Sequence, residues 1–129
     1  MGLLYTSIRV RDVKKSLAFY TKGLGMRVVS RKSYMPGQLV ITLISPDTKQ
    51  QMRLMHYEKN CELYKPYEKG DEMDHLTFKV KDAKKEFDKF VKKGAPIAMP
   101  IWEGEQVTMG YIKDPDGIWI GLFAMKKKK

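Results

Sequence analysis

The stretch Tyr5-Thr6-Ser7-Ile8-Arg9-Val10-Arg11-Asp12-Val13-Lys14-Lys15 returns seventy residues later as His75-Leu76-Thr77-Phe78-Lys79-Val80-Lys81-Asp82-Ala83-Lys84-Lys85. In the first copy Leu4, Thr6, Ile8 and Val10 alternate with polar residues, the mark of a strand with one buried face, and Asp12 stands where a helix N-cap belongs. The likeness continues into the helices, where Leu17 falls on Phe87 and Tyr20 on Phe90. Val13, Leu17 and Tyr20 in one copy, and Ala83, Phe87, Phe90 and Val91 in the other, are expected to face inward, with lysines outside. Gly23 and Gly25 close the first helix and Gly94 closes the second.

Three β-rich runs follow each helix: 26–34, 38–45 and 50–57, then 95–102, 105–113 and 118–123. Pro36-Gly37, Pro46-Asp47 and Asp114-Pro115-Asp116-Gly117 are turn signals between them. The expected organisation is a single α+β domain over 1–129, made of two βαβββ modules at 3–57 and 75–123. A polar connecting loop at 58–74 joins them, and a basic tail at 124–129 follows.

With 129 residues, 43% of them hydrophobic and 31% charged, the chain suits a globular core and not a disordered tail. No apolar stretch approaches the roughly 20 residues of a membrane helix, and the first residues lack a basic segment followed by an apolar block. A cytoplasmic protein without a membrane partner is expected. One cysteine, Cys61, allows neither an internal disulfide nor a Cys–Cys metal site. The net charge of +10 includes the four lysines of 126–129, and the other basic residues are scattered without an aromatic-interleaved stripe, so nucleic acid is not the expected partner.

The block Ser16-Leu17-Ala18-Phe19-Tyr20-Thr21-Lys22-Gly23-Leu24-Gly25-Met26, combined with Asp114-Pro115-Asp116-Gly117-Ile118-Trp119-Ile120, resembles the vicinal oxygen chelate superfamily. The nearest likeness is to glyoxalase I (lactoylglutathione lyase) and its bleomycin-resistance and dioxygenase relatives. The resemblance runs from Leu3 to Phe123. It implies paired βαβββ modules whose sheets curl into a cup, a homodimer, and a divalent metal held by cup-facing side chains. Because this fold hosts lyases, epimerases, dioxygenases and metal-free binding proteins, function has to be argued from the site.

The four ligand positions implied by the resemblance fall on Tyr5, Arg53, His75 and Gly121, so only His75 retains a ligand of the family's kind. Zn, Ni, Fe or Mn needs three or more N, O or S donors, and Arg53 cannot lose its proton to become one. No metal cofactor is therefore expected. An arginine in place of a carboxylate moves the local charge by two units, from a cation site towards an anion site. By strand alternation Tyr5, Arg53, Met55 and His75 share one face, with Ser7 and Thr77 beside them, while Leu4, Leu54 and Leu76 point to the helices. Trp119 and Phe123 share the cup-facing parity, and with Met55 and Met109 they are either ligand lining or packing.

Tyr5, Arg53, His75, Met55 and Trp119 are thus the expected ligand-binding residues. His75 is the best catalytic candidate, as a general base or donor, or else a hydrogen-bonded core residue. Arg53 binds an anion, or pairs with Glu58 or with an acid of a partner subunit. His56, three residues beyond Arg53, has the wrong parity for the cup and is a weak metal candidate, as are Glu58, Glu103 and Glu105 in loops. Nothing adjacent marks Cys61 as an activated nucleophile. The expected function is a glyoxalase I-like protein with a degenerate metal site that binds a small acidic or aromatic molecule. The alternative is a metal-dependent lyase or isomerase of the lactoylglutathione lyase type, using His75, a divalent metal and non-standard ligands.

Overall fold

A computed structural model describes residues 1–126 of the chain. They form eight strands and two helices in the order β1 (Gly2–Arg9), α1 (Val13–Ala18), β2 (Arg27–Lys32), β3 (Gln38–Ile44), β4 (Gln51–Tyr57), β5 (Met73–Lys79), α2 (Ala83–Lys92), β6 (Ile97–Glu103), β7 (Val107–Lys113) and β8 (Trp119–Met125). This is the paired βαβββ order of the sequence repeat. The chain divides into two compact units, one over Tyr5–Asp74 and the other from His75 onward together with Met1–Leu4.

In the first unit the strands run β2-β3-β4-β1. β2, β3 and β4 are antiparallel, and β1 lies parallel to β4. Asp12 caps α1 by accepting a hydrogen bond from the Lys15 amide at 3.0 Å. The helix lasts six residues before widening over Phe19–Gly23, where the Leu24 amide reaches back to the Phe19 carbonyl at 3.0 Å and Met26 to Tyr20 at 3.0 Å. This turn delivers Tyr20 and Met26, with Val13 and Leu17, onto a core of Val10, Ile41, Leu43 and Leu54. These are alternate strand residues, so the opposite row, with Arg53 paired to Ser7 and Thr42, faces away from the helix.

The second unit repeats the plan, with order β5-β8-β7-β6 and β5 parallel to β8. Asp82 caps α2 through the Lys85 amide, again at 3.0 Å. Val80, Ala83, Phe87, Ile112, Leu122 and Ala124 form the core. Gly110 is what admits α2, because a Cβ there would stand 3.0 Å from both Phe87 and Ile101. The Asp114–Gly117 turn joins β7 to β8, its Asp114 carboxylate accepting from the Asp116 and Ile118 amides at 2.9 and 2.8 Å.

Three details differ from the sequence reading. Phe90, expected inward, is 37% exposed, because the buried stripe of α2 follows Ala83, Phe87 and Val91 at four-residue spacing. β8 runs through the buried Ala124 to Met125, and Lys126 donates to the Gln106 carbonyl at 2.8 Å, so the basic tail starts later than 124. The rest of that tail lies outside the described residues. The connector is not wholly solvated either: Cys61, Leu63 and Tyr64, with Met35, close a third core over Val40, Met55 and Tyr57. Irregular backbone carries no period, which is why this burial leaves no pattern in the sequence. No described helix is long and apolar enough to cross a membrane.

Gly37 and Gly117 both have positive φ, 81° and 90°, but a Cβ on Gly37 would meet the Cys61 amide nitrogen at 2.9 Å, whereas nothing lies within 4 Å of Gly117. Gly117→Ala is expected to cost about 1 kcal/mol of stability for the left-handed backbone alone, and Gly37→Ala at least about 2 kcal/mol. Urea denaturation reads both, and equal losses would mean that the connector yields freely.

Candidate functional site

In the first unit the site is built around Arg53, in the middle of β4 and half-buried. Its neighbours in register are Ser7 on β1 and Thr42 on β3, both buried. Nε donates to Thr42 Oγ1 at 3.1 Å, and the guanidinium carbon lies 4.0 Å from the centre of the Tyr5 ring and 5.9 Å from that of Tyr34. The group is therefore held by a hydrogen bond at one end and by cation–π contact across its face. Among the described residues no carboxylate is paired with it. Glu58, the partner considered from the sequence, stands instead against His56, Oε1 to Nε2 at 3.4 Å, and is 68% exposed. The guanidinium edge left over is a fork of N–H donors suited to a carboxylate or phosphate.

Met55, two residues on, is 4% exposed and belongs to the small core under the connector. His56 points to the other face, as its parity requires. Its Nδ1 lies 3.1 Å from the Val10 carbonyl, and it lines a groove of about 560 Å³ with Arg11, Asp12, Val13, Gln38 and Glu58. That groove lies at the carboxyl ends of β1 and β4 and contains none of Tyr5, Thr42 or Arg53. The donors of Arg53 lie outside this groove.

In the second unit His75 is 5% exposed and meets the Tyr111 ring edge to face, centres 5.5 Å apart, and Tyr111 in turn lies 5.7 Å from Trp119. Gly121 pairs with both Thr77 and Tyr111 in register. A Cβ at Gly121 would stand 2.9 Å from the Tyr111 ring and 3.4 Å from Thr77 Oγ1. The Tyr111 ring thus occupies the space that a side chain at 121 would use. Thr77 is 1% exposed, and its hydroxyl has no hydrogen-bond partner.

Sequence reasoning missed Thr42, Tyr34, Tyr111 and Arg9. The first and third carried a signal, the register of strands that were already recognised. Arg9 carried none: its side chain is 8% exposed, donates to the Lys65 carbonyl at 2.6 Å, and stands over Tyr57, Tyr64 and Tyr67 at 5.4 to 5.7 Å with Asp71 at 3.5 Å. This buried cation pins the connector. The Glu68 amide, first, and then Lys65 and Arg9 hold the Asp71 carboxyl below its ordinary value of 3.8, against the effect of burial.

A divalent ion at the positions implied by the family resemblance would find Tyr5, Arg53, His75 and Gly121, of which one is a cation and one has no side chain. Among the described residues no three or more His, Cys, Asp or Glu side chains stand together as a metal-binding group. The donor set does not fit a divalent metal.

The family model of the Glyoxalase/Bleomycin resistance protein/Dioxygenase superfamily matches residues 2–122. The chain belongs to this superfamily. Among its relatives, a protein described as probable lactoylglutathione lyase from Synechocystis sp. is 31% identical over 132 residues, covering 100% of this chain and 99% of its own. The lactoylglutathione lyase of Neisseria meningitidis serogroup A is 29% identical, covering 98% and 92%. Methylmalonyl-CoA epimerase from Mycobacterium tuberculosis shares the fold, with a TM-score of 0.79 at 21% identity over 98% of this chain and 89% of that one. The βαβββ pairs described above are thus the superfamily's architecture.

Two outcomes follow from this geometry. Gly121→Ala should cost about 1–2 kcal/mol by crowding Tyr111, and combining it with Tyr111→Ala should cost less than the two singles together. Strict additivity in urea denaturation would show that the ring does not occupy that space. A carboxyl with a depressed value stabilises the fold above its unfolded pKa and loses that contribution as pH falls through the folded one. Asp71→Asn should therefore flatten the loss of stability on acidification through and below pH 3.8, as read by thermal melts; an unchanged slope refutes the role.

Proposed function

We propose that this superfamily member is a small-molecule-binding protein, acting as a cytoplasmic homodimer, whose degenerate metal site takes an acidic or aromatic ligand through Arg53. The observation that carries this reading is the guanidinium itself. Thr42 and Tyr5 fix its position, and among the described residues no carboxylate side chain is paired with it, so the charge that its setting calls for comes from a ligand. Tyr5 supports the guanidinium from one face. Binding needs no metal and no catalytic base.

A second reading is favoured by the relatives named lactoylglutathione lyase: a lyase or isomerase in which His75 and non-standard donors hold a divalent metal. The donor chemistry of Arg53 and Gly121 speaks against it, and His56 is engaged with Val10 and Glu58.

Isothermal titration with benzoate and with the uncharged benzamide separates the readings. Benzoate should bind and benzamide should not, and Arg53→Ala should weaken benzoate by about 2 kcal/mol or more. Affinity unchanged by that substitution would refute the anion role. Protein loaded with Ni²⁺ or Zn²⁺ should form no lactoylglutathione; turnover with one bound metal per chain would establish the second reading instead.

A further inference from the structure

Tyr34 is a large ring that the fold does not use. It is 57% exposed and lies in the turn between β2 and β3. The turn is held by other groups: the Ser33 hydroxyl donates to the Met35 carbonyl at 2.8 Å, the Gln38 amide donates to the same carbonyl at 3.2 Å, and Gly37 supplies the positive φ. Met35, next along, is anchored in the core under the connector. The Tyr34 amide donates to Gln38 Oε1 at 3.3 Å. The backbone is thus tied on both sides of residue 34, while the ring itself makes one contact of note, 5.9 Å from the Arg53 guanidinium carbon. A rigid aromatic group set beside a fixed, unmatched cation is a preorganised pair: one offers a flat apolar face and the other a charged fork.

We propose that Tyr34 is a specificity-determining residue, the platform on which a flat aromatic group stacks while its carboxylate takes the N–H fork of Arg53. The ligand class is therefore planar aromatic carboxylates and not aliphatic acids of equal charge. This deepens the proposed function and rests on its reading of Arg53. Tyr5 lies against the guanidinium at 4.0 Å and is buried, so it supports the cation, and the exposed Tyr34 reads the ring. Aromatic pairing at such a position is expected to change affinity about fivefold to tenfold.

The test is calorimetric titration of the full chain with benzoate and with cyclohexanecarboxylate, which match in charge and nearly in size but differ in flatness. The wild-type protein should prefer benzoate by about fivefold to tenfold. Tyr34→Phe should keep that preference, and Tyr34→Ser should abolish it while leaving both acids bound equally and weakly. The ring is exposed, so the melting temperature of Tyr34→Ser should match the wild type. Equal binding of the two acids by wild type and Tyr34→Ser, with both lost in Arg53→Ala, overturns the role of Tyr34 and leaves the anion site standing. Benzoate binding that falls in Tyr34→Ser but not in Arg53→Ala overturns the anion site and the proposed pairing with it. Absence of binding by either acid overturns both.

Discussion

The four strands of each unit are covered on one face by a single helix, and the two-residue period of a strand turns that into a decision for every side chain. On β4, Leu54 goes under α1 and its neighbours Arg53 and Met55 go to the other face. On β8, Leu122 goes under α2, and Gly121 goes to the face shared with Thr77 and Tyr111. The helix-facing rows are apolar because they form the cores. The other rows are free of that demand, so polar, charged or missing side chains can sit at the middle of a strand without breaking the fold. Everything chemical about the protein follows from what stands in those rows.

Two positions in those rows, one in each unit, stand out chemically. At 53 the chain carries a permanent cation, and a guanidinium that is half-buried, stacked on Tyr5 and bonded to Thr42 favours anions over metal ions by simple electrostatics. At 121 it carries no side chain, and the Tyr111 ring has taken the space. A side chain at 121 would have to displace an aromatic that also contacts His75 and Trp119. The chain is about 30% identical to lactoylglutathione lyases along its whole length and keeps the superfamily's architecture around these residues.

The helices, their caps and the turns were legible because each depends on neighbours in the chain. Asp12 and Asp82 cap within three residues, and Asp114 closes its turn within four. On β4 the face shared by Arg53 and Met55, opposite Leu54, was legible from alternation alone. Arg9 was not, because Tyr57 at the end of β4, and Tyr64, Tyr67, the Lys65 carbonyl and Asp71 on the irregular connector, lie 48 to 62 positions away. Cys61 looked solvated among Glu58, Lys59 and Asn60, yet it is 5% exposed. Phe90 looked buried, but one step off the four-residue stripe turned it towards solvent.

By itself the sequence determined the paired βαβββ order, the superfamily resemblance and which residues stand at 5, 53, 75 and 121, since all of these rest on periodicity, local turn chemistry and residue identity. Only the tertiary structure decided what surrounds those residues. That Glu58 stands against His56, that the Tyr111 ring fills the space beside Gly121, and that Tyr34 lies beside the Arg53 guanidinium are matters of distance in space. Those distances are set by packing, for which a linear pattern has no coordinate.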